Sequence, residues 1–412
     1  MLSKILKPYF QIEKIVLQFI AAEFFIQLVN ASFMMILNIY LSKKGYEDHQ
    51  IADFISLRFL TVMLLAFPLG LFIKGRNLKP LFYIAAIGVF VFSIGILLAA
   101  EFKQIDMIYF SAALWGMCYG IIQVLALPFI IRNASEKTKT AAISLSYATY
   151  SLAMILAGII IFVLNHFNPL YFDEFKCLLL LALLSGISIY FIFKMQQKEV
   201  IPAFEGSRLS LSGFDWGTIA FAMTPSLLLA IGAGLTIPFI NLFFFKVFKM
   251  ESDNFALLNS FSSITVASAA LLVPHVRAKY GYKIAITRTQ SIAVISLALL
   301  ACTEFYATFE YSLYFAIFFF LIRQPLMNMA APVSSELVMQ YVGPKNQEII
   351  SALTASIWSG SWFFSALIFS VLRKNGFAYA NVFLITAGIY AIAVLWYHFL
   401  IKAHLAKEQI KN

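Results

Sequence analysis

The 412-residue sequence predicts an all-α, polytopic membrane protein of twelve transmembrane helices arranged as two pseudo-symmetric six-helix bundles, and three observations carry that expectation. The composition is 61% hydrophobic and only 12% charged, with a mean hydropathy of +0.86, whereas soluble domains carry roughly 25% charged residues. The apolar residues fall in about twelve segments of roughly 20 residues, the length that crosses a bilayer as a helix. The segments are continuous in Leu, Ile, Phe, Val and Ala and do not alternate with polar residues, which points to helices and away from a membrane barrel. Finally, the longest run without a crossing segment, Lys194 to Asp215, lies near the midpoint with about six segments on either side. It reads as a cytoplasmic linker (195–215) between an N-terminal bundle (1–194) and a C-terminal bundle (216–412).

The first segment, 15–41, follows lysines as a signal peptide would, but it runs on without a small-residue cleavage site and is expected to stay as a spanning helix. Before it, Leu2, Ile5, Leu6, Tyr9 and Phe10 suit a short helix lying on the inner surface. The remaining first-half segments are 52–73, 78–98, 105–131, 140–164 and 177–193. Those of the second half are 217–245, 255–274, 283–302, 311–332, 349–372 and 379–401. Most connections are short, so successive helices should pack antiparallel.

The net charge of +10 is explained by where the cations lie. With the N-terminus inside, inner segments carry Lys74, Arg76, Lys79, Arg132, Lys194, Lys198, Arg277, Lys279, Lys283 and Arg288 among others. Outer ones hold only Lys43, Lys44, Lys103, Lys176, Lys246, Lys249, Arg373 and Lys374. This asymmetry places both termini in the cytoplasm and makes the basic charge a topology signal rather than a nucleic-acid footprint; the expected location is a plasma membrane, the inner one of a bacterium. Cys118, Cys177 and Cys302 are far apart, which indicates neither disulfides nor a thiolate metal site. The five histidines, His404 among them, fall at helix ends or in loops and read as solvated. The phosphate-cradling run G-x-x-x-x-G-K-[ST] and the hydrolase patterns H-E-x-x-H and G-x-S-x-G are missing, so no cofactor, metal or enzymatic activity is expected.

A repeat is visible at an offset of roughly 204 residues. The loop from Gly70 through Lys74 and Arg76 to Lys79 aligns with Pro274 through Arg277, Lys279 and Gly281 to Lys283. Lys79 falls opposite Lys283, and Pro128 near Pro332. Asn77 falls opposite Gly281, two residue types that tolerate positive φ. At these residues the chain resembles the major facilitator superfamily of secondary transporters, efflux-like branch, whose loop between helices 2 and 3 reads Gly-x-x-x-Asp-Arg/Lys-x-Gly-x-Arg/Lys-Arg/Lys. Gly70 and Lys79 match, while Lys74 stands at the aspartate position and Asn77 at the second glycine. The second copy keeps Lys279, Gly281 and Lys283. Arg323 to Pro332, Gly343, Pro344 and Trp358 resemble helix 10, its loop and helix 11 of that family. In helix 5 only Gly158 remains of the Gly- and Pro-rich motif of the drug/proton antiporters.

Glu23 is the one acid well inside a spanning segment, and Arg58 and Arg323 are the only such cations. A charge in hydrocarbon costs several kcal/mol unless it faces a partner or water, so these residues should mark a polar path. Glu23, Gln27 and Asn30 share one face of helix 1. Counted from the segment ends, Glu23 and Arg323 lie at similar depths, roughly 12 and 15 Å from the inner side. The resemblance implies a central cavity lined by helices 1, 4, 7 and 10, with Glu23 and Arg323 on facing halves, and it brings Tyr119, Gln123, Asn241 and Asn328 to the same place. Arg58, near the outer end of helix 2 with Asp53 as a partner, is a substrate or outer-gate candidate. Gly232, Gly234, Thr236 and Pro238 could break helix 7 or let neighbours pack closely.

The expected function is secondary transport of a small organic solute by alternating access, with a proton or another ion as the coupling partner and the lipid bilayer as solvent. Gly70, Lys74, Arg76, Lys79, Arg277, Lys279, Gly281 and Lys283 would form the gating loops. Two arginines against one glutamate favour an anionic or zwitterionic substrate, and a monomer is expected. A lipid or lipid-linked-glycan flippase would instead need a lateral basic groove. A membrane enzyme would need clustered acids or histidines at one depth, and a sensor would have lost the polar stripe.

Overall fold

The computed structural model describes residues 10–73, 76–135, 138–195, 199, 215–343 and 347–411. The expected surface helix before residue 10, Lys74 and most of the linker lie outside these residues. Among the described residues the chain is helical throughout, with no strand. In lipid the backbone must satisfy its own hydrogen bonds, and long apolar runs do so as helices.

Six long helices precede the linker: α1 Lys14–Lys43, α2 Asp48–Phe72, α3 Lys79–Glu101, α4 Ile105–Asn133, α5 Lys139–Phe167 and α6 Glu174–Phe193. Six follow it: α7 Trp216–Phe248, α8 Ser252–Tyr282, α9 Thr289–Cys302 with a π-helical lead Lys283–Arg288, α10 Ser312–Val342, α11 Gln347–Lys374 and α12 Tyr379–Lys411. Among the described residues ten of these are long and apolar enough to cross a membrane. The two outside that set, α8 and α11, are rich in Ser and Thr.

Two helices are irregular at matching places. α1 passes through a π-helical turn at Phe33–Leu37, and α7 through a 3-10 turn at Ile237–Phe239. The two turns begin at the repeat offset of about 204 residues. In α7 the glycines serve packing: a Cβ on Gly232 would sit 2.4 Å from the Tyr390 ring, and one on Gly234 2.7 Å from Ser365. The Thr236 hydroxyl is buried and donates to Thr386 at 3.1 Å.

The helices gather into two compact units. The first comprises Met1–Glu47, Leu57–Leu209 and Glu251–Ser260. Its core includes Phe19, Phe82 and Phe129 from α1, α3 and α4, with ring centroids 4.7 to 5.0 Å apart. At one end Lys43 pairs with Glu174 and Glu251, and the Ser252 hydroxyl donates to Glu174 at 2.9 Å. The second comprises Asp48–Ser56, Ser210–Met250 and Phe261–Asn412. Phe239 and Phe369 stack at 3.6 Å in its core, and Arg373 binds Asp48 at 2.8 Å beneath Tyr379.

Three sequence expectations are corrected. α10 continues through Pro325 and Pro332 to Val342, so Pro332 does not mark its inner end, and the 15 Å depth counted for Arg323 does not stand. The extension persists because Glu336 and Gln340 on it bind Tyr282 at 2.8 Å each. Asn77 lacks the positive φ of Gly281; its side-chain oxygen instead accepts the Lys79 amide at 3.0 Å at the start of α3. His404 is buried, not solvated, because α12 runs on to Lys411 and lays it edge-on against the Tyr282 ring at 5.6 Å.

Candidate functional site

In the first unit, three helices close on the polar face of α1. Glu23, Gln27 and Asn30 are spaced by four and three residues, so they share one face, and all three are buried. From α5 the Ser146 hydroxyl donates to Glu23 Oε2 at 2.6 Å. From α4 the Tyr119 hydroxyl donates to Gln27 Oε1 at 2.9 Å, and Asn30 Nδ2 donates to the same oxygen at 3.2 Å. From α2 the Arg58 Nη2 donates to Asn30 Oδ1 at 2.6 Å, while Nη1 reaches Met34 Sδ at 3.6 Å.

Arg58 thereby departs from its expected place. α2 begins ten residues earlier, at Asp48, which puts Arg58 roughly 15 Å along the helix. Its side chain turns inward to Asn30 and Met34 and does not pair with Asp53; Arg58 is 7% exposed. The guanidinium lies 4.2 Å from the Trp115 ring and 5.6 Å from that of Tyr119. Those two rings, one helical turn apart on α4, stack at 5.3 Å. α4 comes this close because residue 116 is glycine: a Cβ there would lie 2.5 Å from the Arg58 carbonyl oxygen.

In the second unit Arg323 is 1% exposed. It donates to Gln324 at 3.5 Å, and the Tyr390 hydroxyl lies beside it. Gly232 makes room for the Tyr390 ring. Arg323 and Tyr119 stand at the same repeat offset, so α10 and α4 carry them at matching registers. Asn241 is buried and accepts its neighbour's amide, Leu242 N, at 2.8 Å. Gln123 and Asn328 are exposed, and Asn328 donates to the Gln324 carbonyl at 2.9 Å.

The loop candidates form one cluster in each unit. Gly70 lies in the last turns of α2, while Arg76 is exposed with its guanidinium 4.1 Å from the Phe72 ring. Arg132 at the end of α4 donates to the carbonyls of Ile73 and Arg76, each at 3.1 Å, and lies 3.8 Å from Glu199. Glu199 also accepts the Leu78 amide at 2.8 Å, and Lys79 donates to the Met195 carbonyl. Burial raises the Glu199 carboxyl above its ordinary value, against the pull of the Leu78 and Lys79 amides and of Arg132. In the second unit Arg277 pairs with Glu336 at 3.2 Å and stacks 3.6 Å from the Tyr282 ring. Lys279 and Lys283 are exposed, and Gly281 has φ +69°.

Arg132 and Glu336 are again about 204 residues apart, so the two units brace their loops from one helix position with opposite charges. Sequence reasoning missed both, as well as Ser146, Trp115, Tyr390 and Glu199. The offset of the two loops, extended to the ends of α4 and α10, was the signal that could have found the first pair. Among the described residues no group of three or more His, Cys, Asp or Glu side chains gathers as a metal site would require.

The sequence profile of the Major Facilitator Superfamily matches residues 19–366. The chain belongs to this superfamily. No curated protein matches the sequence. Solved structures with the same fold include the nucleoside transporter NupG, at 16% identity and TM-score 0.71, covering 95% of this chain and 100% of that one. A bacterial homologue of the iron transporter ferroportin aligns at 12% identity and TM-score 0.73, covering 95% and 98%. A D-xylose-proton symporter aligns at 14% identity and TM-score 0.70, covering 94% and 96%. As a superfamily member the protein is a multi-pass secondary transporter of a small molecule and not an enzyme.

Proposed function

We propose that this facilitator-superfamily transporter moves a small anionic or zwitterionic organic solute in company with protons, and that Glu23 carries the proton. One observation supports this above the rest: among the described residues Glu23 is the only acid buried within a spanning helix, and the hydrogen-bond partner it has is a hydroxyl. A hydroxyl donates to a carboxylate and accepts from a carboxylic acid, so Ser146 can serve either protonation state without a change of partner. An acid at that depth is costly unless it has a use.

In this proposal Glu23, Gln27, Asn30, Arg58 and Tyr119 supply one half of the substrate cavity, and Arg323, Asn241 and the exposed Gln123 and Asn328 complete it. The repeat halves 1–194 and 216–412, joined by the linker 195–215, rock about it. The loops from Gly70 to Lys79 and from Pro274 to Lys283 approach and separate on the inner side. The protein works as a monomer in a bacterial inner membrane with both termini in the cytoplasm.

The test begins with a thermal-shift screen of the purified protein against metabolites at several pH values, which identifies the ligand. In proteoliposomes with an imposed pH gradient, Glu23→Gln is then expected to abolish gradient-driven accumulation of that ligand while leaving its exchange across the membrane. Accumulation equal to that of the wild type removes Glu23 from the mechanism.

A further inference from the structure

The cation at Arg58 has no protein counter-charge among the described residues. The residue is 7% exposed, its Nε has no hydrogen-bond partner, and its other contacts are a neutral amide oxygen, a thioether and the rings of Trp115, Phe59 and Tyr119. No carboxylate among the described residues pairs with it. Glu23 is on the same side of α1 as Asn30, but seven residues away, roughly 10 Å along the helix, and is held by Ser146. A buried guanidinium commonly pairs with an acid, because its charge is otherwise left uncompensated in a medium of low dielectric. Here the chain instead surrounds the group: Trp115 lies beneath it, Asn30 takes one arm, and Gly116 brings α4 against its backbone. These contacts leave most of its five N–H donors unused.

We propose that Arg58 is the anchor for a carboxylate group of the substrate, and that the substrate class is a monocarboxylate. The inference rests on the transporter reading above and narrows it. The charge arithmetic selects the class. Among the described residues the first unit buries one cation, Arg58, and one acid, Glu23, so with Glu23 carrying its proton a singly charged carboxylate leaves the buried groups of this unit neutral, whereas a phosphate dianion would leave one negative charge there unpaired. The planar fork of the guanidinium also matches a planar carboxylate. The polar surroundings, Asn30, Gln27 and Tyr119, orient the anchor through one hydrogen-bonded chain.

The experiment uses the full-length purified protein and monocarboxylates of increasing size, acetate, butanoate, benzoate and octanoate, each beside its uncharged amide. Two signals are followed: thermal stabilisation, and the fluorescence of Trp115, isolated by comparison with Trp115→Phe. At least one carboxylate is expected to stabilise the protein and change the Trp115 signal while its amide does neither. Arg58→Gln should abolish the response. Arg58→Lys, which keeps the charge and loses the fork, should weaken binding about tenfold or more, and it decides the matter if Arg58→Gln fails to fold. Preference for octanoate over acetate assigns a lipid-like acid; the reverse assigns a small soluble one. Equal responses to acids and amides, a response that survives in Arg58→Gln, or silence across the whole series overturns the proposal. Arg58-dependent binding without proton-driven uptake would sink the coupling proposed for Glu23 and leave this inference standing. Proton-driven uptake that is unchanged in Arg58→Gln would do the opposite.

Discussion

Glu13 stands just before α1, where its two carboxylate oxygens tie that helix to the turn between α4 and α5. Ser135 N donates to one oxygen at 2.9 Å and the Thr138 hydroxyl to the other at 2.7 Å. Burial pushes the Glu13 carboxyl up, but the hydrogen bonds from Thr138 and Ser135 outweigh it and hold the group below its ordinary value. A carboxylate whose folded pKa is depressed contributes stability above its unfolded pKa of about 4.3, and loses it as pH falls through the lower folded value. Glu13→Gln should therefore melt at a lower temperature than the wild type at pH 7, with the gap closing as the pH is brought below about 4. A gap of constant size across a thermal-melt series at falling pH would show that the carboxylate charge plays no part. Such a contact joins residues more than 120 positions apart, and nothing local in the sequence announces it. The same is true of Ser146 beneath Glu23. The depth of Glu23 was legible from hydropathy alone, because hydrocarbon makes a lone acid conspicuous; its partner was one serine among many.

Two glycines separate the ways a helix can depend on having no side chain. Gly158 in α5 faces the start of α8, where an added Cβ would fall 1.9 Å from Ser260 Oγ and 2.6 Å from the Ala256 carbonyl oxygen. Backbone cannot yield as a side-chain tip can, so Gly158→Ala should cost about 1–3 kcal/mol by overpacking. Gly281, at a kink in the last residues of α8, has φ +69° and ψ −176° with nothing within 4 Å of the Cβ position. Gly281→Ala meets no clash and should cost about 1–3 kcal/mol through backbone strain alone. The contrast is tested by replacing Ser260 with glycine, which removes the hydroxyl and leaves the Ala256 carbonyl in place. Ser260→Gly should recover part of the stability lost in Gly158→Ala and none of that lost in Gly281→Ala, both read as melting temperature. Equal recovery in both would mean that the crowding at Gly158 is not its cost. In the sequence Gly158 was visible only as a remnant of a motif, and Asn77 looked like the match of Gly281. Its side chain accepts the Lys79 amide instead, a choice that amide chemistry allows and residue type does not reveal.

For the molecule as a whole, the uneven spread of lysine and arginine predicts which ends face the cytoplasm. Lys103, between α3 and α4, and Lys407, near the end of α12, are both exposed. In a background without Cys118, Cys177 and Cys302, a cysteine at 103 should react with a membrane-impermeant maleimide added to intact cells, and one at 407 only after the membrane is opened. The reverse pattern would invert the topology. Composition and segment length were sufficient for twelve helices, because a bilayer penalises every unsatisfied backbone group and leaves a long apolar run one solution, while the superfamily was legible only as a resemblance carried by the repeated loops and by Arg323 to Pro332. The offset reached further than the loops that revealed it. It also relates the irregular turns of α1 and α7, Tyr119 to Arg323, and Arg132 to Glu336. The offset misled at Asn77, which lacks the positive φ of Gly281, and hydropathy misled at a helix end, since Pro332 does not stop α10 once Glu336 and Gln340 are held by Tyr282. Hydropathy and spacing thus decide what must be buried and on which helix face. Which groups then meet, Arg58 on Trp115 and Asn30 rather than on Asp53, or Glu23 on Ser146, is decided only when separate helices are packed side by side. Hydrogen bonds and ring contacts between helices depend on rotation and close approach at positions such as Gly116, and one-dimensional periodicity carries neither.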